Sequence, residues 1–215
     1  MTKKHRGKTP LHQAQDARFL YIGGRLAVDF VNSEYSPLGS AAGLLDWEGL
    51  VEFLSGAGVI SPPRAVDLLS WRRSAPQVLP GLVQRALRLR AALRSSLEAR
   101  ITAAAVAEAS VELVNDLLRI TEGHDELIWE QGDWSLKFHA RGEALEWLLA
   151  AIARSAAEII AEGPEAPVRR CANPNCGLLF YDNSRTKRRR WCQMSVCGNR
   201  SKVAAFARRN LTQRR

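Results

Sequence analysis

Apolar residues recur with the period of an α-helix over much of the chain between residues 46 and 161. The longest such segment is 82–101, where an apolar residue returns every three or four positions. Shorter segments predict a helix after Asp46 that stops at Gly56, and a second one capped by Ser61, with Val66, Leu68 and Leu69 facing inward. Further helices are predicted over residues 111–120 and 141–161, so the first three quarters of the chain are mostly helical.

Two short segments have a different pattern. Residues 127–130 and 135–138 are rich in β-favouring side chains and flank Gln131-Gly132-Asp133, which predicts a β-hairpin. Near the start, the apolar run 19–22 ends at a Gly-Gly pair before apolar residues resume over 26–31. That second pattern is compatible with a hairpin or with a strand followed by a helix.

A glycine and two prolines over residues 163–167 make continuation of the last predicted helix costly. They mark a boundary between an N-terminal domain, 18–163, and a C-terminal module, 168–210, joined by a linker at 164–167. Residues 1–17 lack apolar periodicity and are expected to be a flexible basic tail, as are residues 211–215.

Composition and charge separate the same two parts. The 215 residues are 46% hydrophobic, which is enough for a folded core and excludes a disordered or collagen-like chain. The net charge is +9, yet residues 168–215 contain thirteen basic side chains and one acid, Asp182, whereas the other residues sum to −3. The positive excess therefore lies entirely in the C-terminal segment.

The four cysteines also lie in that segment, with the spacing C-x4-C-x15-C-x4-C: Cys171, Cys176, Cys192 and Cys197. Two closely spaced pairs joined by a loop are typical of a tetrahedral four-thiolate zinc site, and we expect one structural Zn²⁺. A redox dithiol, two disulfides and an iron–sulfur cluster are the alternatives. So small a module has few large apolar residues, so the metal is expected to stabilise it, and loss of one cysteine to unfold this module alone.

The basic side chains surround the cysteines, and a field of this strength favours a nucleic acid as partner. The residues expected to contact it are Arg185, Lys187, Arg188, Arg189, Arg190, Arg200, Lys202, Arg208 and Arg209. A helix is expected after Cys197, with Val203 and Phe206 on an apolar side that packs on the module or a partner. An RNA- or ribosome-associated protein is an alternative function, and a thiolate–zinc redox or metal sensor is another.

Other classes of function have little support in the sequence. There is no G-x-S-x-G, Walker loop or H-E-x-x-H, so we do not expect an enzyme. No secretory signal or membrane span is recognisable, and we expect a cytoplasmic protein without a membrane partner. A small-molecule ligand would be bound by Asp29, Asn32 and Tyr35, for which helix or turn capping is the alternative role. A homodimer is compatible with the sequence.

The C-terminal residues resemble the CGNR zinc finger. The resemblance is carried by the run from Cys176 to Arg185, by Arg190-Trp191-Cys192 and by Cys197-Gly198-Asn199-Arg200. Residues 24–32, GRLAVDFVN, resemble the opening of the ABATE domain that precedes this finger. The resemblance implies a stress-associated transcription regulator whose finger binds DNA and whose N-terminal domain binds a ligand. We expect the DNA to be duplex and the N-terminal domain to sense a signal or to oligomerise. The expected fold class is mainly α (α+β), a helical domain with one or two small β-hairpins followed by a small treble-clef- or ribbon-like four-cysteine zinc finger.

Overall fold

The structure, a computed structural model, describes residues 18–35, 46–74, 76–120, 123–130, 133–140 and 145–212. The predicted tail 1–17 lies outside these residues, as do the tip of the predicted hairpin at 131–132 and the first four residues of the helix predicted to begin at 141.

The described elements follow the predicted mainly helical plan. The helices are α1 (Leu26–Asn32), α2 (Trp47–Gly56), α3 (Pro62–Ser74), α4 (Leu79–Ile101), α5 (Glu108–Ile120), α6 (Trp147–Ala161) and α7 (Asn199–Thr212). The strands are β1 (Gly123–Glu130), β2 (Asp133–Ala140), β3 (Val168–Arg170) and β4 (Leu179–Tyr181). They form two separate antiparallel sheets of two strands each, β1 with β2 and β3 with β4. None of the described helices has the length and apolar composition of a membrane span.

The helical core is built around α4, α1 and α6. Leu89 and Leu93 lie one turn apart on α4 and are fully buried, as the helical period predicts. Phe30 of α1 packs against Phe53 of α2 with ring centroids 5.5 Å apart. Ile152 of α6 is also fully buried, so these helices share one apolar cluster.

Three details differ from the sequence predictions. The run 19–22 forms no strand; only the helix that follows it was predicted correctly. Helix α6 begins at Trp147, after a turn at residues 145–146, and not at 141. On α3, Leu68 is buried, but Val66 and Leu69 are exposed because the inward face of this helix is completed by Ala65.

The predicted hairpin is present as the antiparallel pair β1–β2, with Leu127 opposite Leu136 and Trp129 opposite Trp134. Asp133, which the sequence placed in the turn, pairs with Glu130 as the first residue of β2. The two tryptophan rings meet edge-on at 5.3 Å. Both rings and Leu127 are more than half exposed, so this face of the hairpin is not part of the helical core.

In the C-terminal part, a turn of 3-10 helix at Gly163–Glu165 replaces an open linker. Strands β3 and β4 form a ribbon, and a single turn of π-helix, Met194–Gly198, leads directly into α7. The tight turns at residues 171–176 and 192–197 are called the first and second knuckle. A ribbon, knuckles and a helix are the elements of a treble-clef finger, whereas an all-strand ribbon would contain no helix. Helix α7 continues to Thr212, past the predicted end of the finger at 210.

Candidate metal centre

The two cysteine pairs are held by tight turns. Cys171 follows β3, and Cys176 closes a turn in which its N–H donates to the Asn173 carbonyl at 2.9 Å. The Asn173 side chain accepts a hydrogen bond from the Asn175 N–H, which is the local bond that makes asparagine suit such turns. Cys192 lies two residues before the π-helical turn and Cys197 lies within it, where the Cys197 N–H donates to the Gln193 carbonyl.

These turns bring all four sulfur atoms together. Every pair of Sγ atoms lies within 4.8 Å. Cys192 Sγ is 3.8 Å from Cys176 Sγ and 3.6 Å from Cys197 Sγ. Four sulfurs at 2.3 Å from a tetrahedral zinc ion are separated by about 3.8 Å, so the cluster has the dimensions of a four-thiolate zinc site. None of these cysteines forms a disulfide.

The negative charge of four neighbouring thiolates must be balanced by a cation. Burial raises the pKa of the Cys176 thiol to about 11 and, with neighbouring thiols, raises the pKa of Cys192 further. The pKa of Cys171 is lowered, since N–H donors such as that of Cys192 outweigh the opposing effect of burial. Four thiolates this close require a bound cation, and Zn²⁺ supplies two positive charges.

A small core supports the cluster. Phe180 of β4 is fully buried against the cysteines together with Leu178, and Trp191 packs on the same cluster. Arg189 lies inside the finger: its guanidinium stacks on the Phe180 ring at 4.5 Å and donates to the carbonyls of Trp191 and Cys192. Arg189 is one of the cations predicted to contact nucleic acid, but its side chain is bound within the finger.

Asp182 organises the loop beside the cysteine cluster, a role that its sequence context did not predict. It is fully buried, and its carboxylate accepts hydrogen bonds from the Ser184 N–H at 2.9 Å and the Arg189 N–H at 2.9 Å. Burial opposes ionisation, but these bonds and nearby Arg169 lower the pKa of Asp182. Asp182 thus shapes the basic loop 184–190. Its position as the one acid of a strongly basic segment is the signal that could have revealed it.

The finger is docked on the helical domain through one edge of β4. The opposite edge pairs with β3. At the docked edge, the Asn32 side chain donates from Nδ2 to the Leu179 carbonyl at 2.8 Å and accepts at Oδ1 from the Leu179 N–H at 2.9 Å. The Tyr181 N–H then donates to the Gly23 carbonyl at 2.7 Å. Leu179 and Tyr181 belong to the helical core, while Phe180 between them faces the cysteines.

Side chains strengthen this junction. The Tyr181 hydroxyl donates to Glu162 at 2.5 Å, and the Arg25 guanidinium lies 4.7 Å from the Tyr181 ring centre while pairing with Glu162 at 3.2 Å. Asn183 donates from Nδ2 to the Gly24 carbonyl at 3.0 Å. The 24–32 segment therefore forms the seat of the finger.

The three candidate ligand residues lie along this seat. Asp29 accepts a hydrogen bond from the Gly23 N–H at 2.6 Å, and burial raises the pKa of its carboxyl to about 7. Asn32 is engaged with Leu179, and Tyr35 lies between Arg94, 5.2 Å from its ring centre, and Gly177 of the first knuckle. The contacts seen are structural ones, close to the capping alternative; a ligand role for the three stays a prediction.

The other predicted contact residues surround the metal centre. The exposed ones on the loop and at the start of α7 are Arg185, Lys187, Arg188, Arg190, Arg200 and Lys202. The side chains of Arg208 and Arg209 lie outside the described part of the chain. Val203 and Phe206 of α7 are 68% and 59% exposed, so the apolar side of this helix does not pack on the finger.

Two family models match the chain. Residues 168–210 match the CGNR zinc finger. Residues 24–163, about two thirds of the chain, match the family described as "ABATE: Putative stress-induced transcription regulator". The chain belongs to the ABATE family. Its ABATE region contains the helical core and the seat of the finger, and its CGNR finger contains all four cysteines. Among curated proteins, none shows significant sequence similarity to the chain.

Proposed function

We propose that this ABATE protein is a cytoplasmic transcription regulator that binds duplex DNA through its CGNR finger, stabilised by one structural Zn²⁺. The observation that carries the proposal is the display of six exposed cations around a buried four-sulfur cluster of tetrahedral dimensions. Zinc would hold the two knuckles together and thereby fix the basic loop and α7. The chain would act by binding and not by catalysis.

Charge and shape support nucleic acid as the partner. The basic loop 184–190 is anchored by Asp182, so its outward cations are presented on ordered backbone. Helix α7 projects Arg200 and Lys202 beside exposed Val203 and Phe206, which are suited to phosphates and to apolar base edges such as the thymine methyl. Both features suit a surface that contacts the phosphates and the bases of a nucleic acid.

The helical domain would sense a signal or oligomerise. Its bonds to β4 support this role, because they connect α1 directly to the strand that carries Phe180. A homodimer would match a symmetric DNA site.

Single neutralisations test the interface. Arg185→Gln and Arg188→Gln are each expected to reduce the salt slope of duplex binding by about 1, because each removes one phosphate contact. Arg64→Gln and Arg73→Gln, exposed positions on α3, are the matched controls and should leave the slope unchanged. Equal effects of all four would contradict the proposed interface. A preference of the wild type for structured RNA over duplex DNA would instead favour the RNA-associated function.

A second candidate function is a thiolate–zinc redox or metal sensor, and one observation favours it. Cys176 is only partly buried, whereas the other three cysteines are buried. An exposed thiolate in a zinc site is the first to meet an oxidant. Zinc release by mild peroxide, measured with a zinc-sensitive dye, would support the sensor. Retention of zinc under the same treatment would exclude it.

A further inference from the structure

A cleft of about 820 Å³ lies between the helical domain and the finger. Three parts of the chain line it: the connection 164–167, the end of α4 with Arg100, and the basic loop with Lys187, Arg189 and Arg190. Clefts of this volume are typical of small-molecule sites, whereas a nucleic-acid backbone lies along an extended surface. It is separate from the three residues of the predicted ligand site.

The cleft contains cations whose charge is not neutralised. Arg100, Lys187, Arg189 and Arg190 form no ion pair with any residue that the structure describes; the first three donate instead to backbone carbonyls, those of Ile160, Asp182 and Trp191. The buried Nε of Arg100 has no hydrogen-bond partner within the described ranges. The remaining two cations that line the cleft, Arg169 and Arg170, pair with Asp182 and Glu98.

Only two acids line the same space. Glu162 is already bound to Arg25 and Tyr181, and Glu165 is exposed at the rim. Arg169, Arg170 and Glu162 are already paired, so four cations and Glu165 remain, and the concave surface has a positive excess. Guanidinium groups from the helical domain and from the basic loop match an anion with several oxygen atoms, which both parts can contact at once.

We propose that this cleft binds a small phosphate-bearing molecule, held by Arg100 from the helical domain and by the Arg190 side of the basic loop. The bound anion contacts both the ABATE region and the CGNR finger. Its phosphate groups accept hydrogen bonds from Arg100, Lys187 and Arg190, while Arg189, bound within the finger, adds positive charge.

Titration calorimetry with inorganic pyrophosphate tests the site, using the full-length zinc-loaded chain at constant ionic strength with zinc content measured before and after. Saturable binding is expected. Arg100→Gln and Arg190→Gln should each weaken it about tenfold or more, because each removes charged hydrogen bonds. The controls are Arg88→Gln, exposed on the same helix, and Arg185→Gln, exposed on the same loop but outside the cleft; both should bind like the wild type.

Absence of saturable pyrophosphate binding would overturn the proposal, and so would equal weakening by all four variants, which indicates diffuse attraction. Should Arg100→Gln fail to fold, Arg190→Gln against Arg185→Gln decides alone. If Arg100→Gln spares pyrophosphate binding but weakens duplex DNA binding, the cleft carries a nucleic-acid backbone and the small-anion site is wrong. No nucleic acid enters the pyrophosphate titration, so its result is independent of the proposed DNA binding.

Discussion

Asn32 of α1 pairs with the backbone of Leu179 in β4 as a neighbouring strand would, donating to its carbonyl and accepting from its N–H. The pair is separated by 147 residues and is buried. A single side chain thus satisfies both backbone groups of Leu179 at the free edge of β4, and the finger and the helical domain share a core through Leu179 and Tyr181.

Replacement of Asn32 by Asp tests this bond. The variant keeps the shape but loses the Nδ2 donor and places a buried negative charge against the Leu179 carbonyl, so we expect a loss of about 3 kcal/mol of unfolding free energy. Urea unfolding of the zinc-loaded protein measures it. Gln84→Glu makes the same chemical change at an exposed position of α4 and should cost little. A cost for Asn32→Asp as small as for that control would show that the bond does not hold the finger.

Two glycines with left-handed backbone separate the effect of the finger's close approach from the effect of backbone strain. Gly24 has φ +80°, and a Cβ there would lie 2.9 Å from Asn183 Nδ2 and 3.0 Å from the Tyr181 carbonyl oxygen. Gly58 has φ +73° with nothing within 4 Å. Gly58→Ala is expected to cost about 1 kcal/mol from backbone strain alone, and Gly24→Ala about 2–3 kcal/mol. Equal costs in thermal unfolding would mean that the finger is not seated on Gly24.

The buried carboxyl of Asp29 predicts a dependence of stability on pH. Burial raises its pKa to about 7 in the folded protein, against about 3.9 in an unfolded chain. Between these two pKa values the carboxyl is protonated in the folded protein and ionised in the unfolded chain. The contribution of Asp29 to the free energy of unfolding is therefore fully present below about pH 4 and is lost as the pH rises towards 7. Asp29→Asn still offers an oxygen to the Gly23 N–H but has no such dependence.

The difference in unfolding free energy between wild type and Asp29→Asn should then shift against the wild type by up to about 1.4 kcal/mol per pH unit from pH 5 to 7. Taking the difference removes the pH dependence that zinc binding contributes to both proteins. A difference that stays flat over this range would show that the carboxyl is already ionised at pH 5.

Zinc removal is expected to lower the stability of the helical domain as well as that of the finger. The sequence led us to expect that loss of the metal unfolds one module, but Leu179 and Tyr181 belong to the helical core. Chelation should therefore lower the thermal midpoint reported by far-UV circular dichroism of the helices. An unchanged helical transition after zinc loss would show that the two parts fold independently.

Local patterns were enough to predict much of this fold. The leucine spacing of α4 predicted its buried face, and the two cysteine pairs predicted a four-sulfur cluster, because periodicity and ligand spacing are properties of neighbouring residues. The segment Gln131-Gly132-Asp133 predicted a hairpin, although Asp133 itself pairs with Glu130 in β2.

Long-range relationships could not be predicted in this way. Nothing near Asn32 in the sequence identifies Leu179 as its partner, and the burial of Asp182 depends on a loop that folds around it. The inward assignment of Val66 and Leu69 failed because α3 offers apolar residues on more than one side, and only the packing against α2 selects Leu68. Tertiary contacts decide each of these features.

Whether zinc organises a DNA-binding finger is decided by measuring the binding of one duplex DNA to the zinc-loaded wild type and to Cys192→Ser, each across a salt series. The wild type is expected to bind with a slope of log K against log salt near −5, since about six cations contact phosphates. Cys192→Ser should lose zinc and this binding together. No binding by the wild type at low salt, or undiminished binding by a zinc-free Cys192→Ser protein, would contradict a zinc-organised DNA-binding finger.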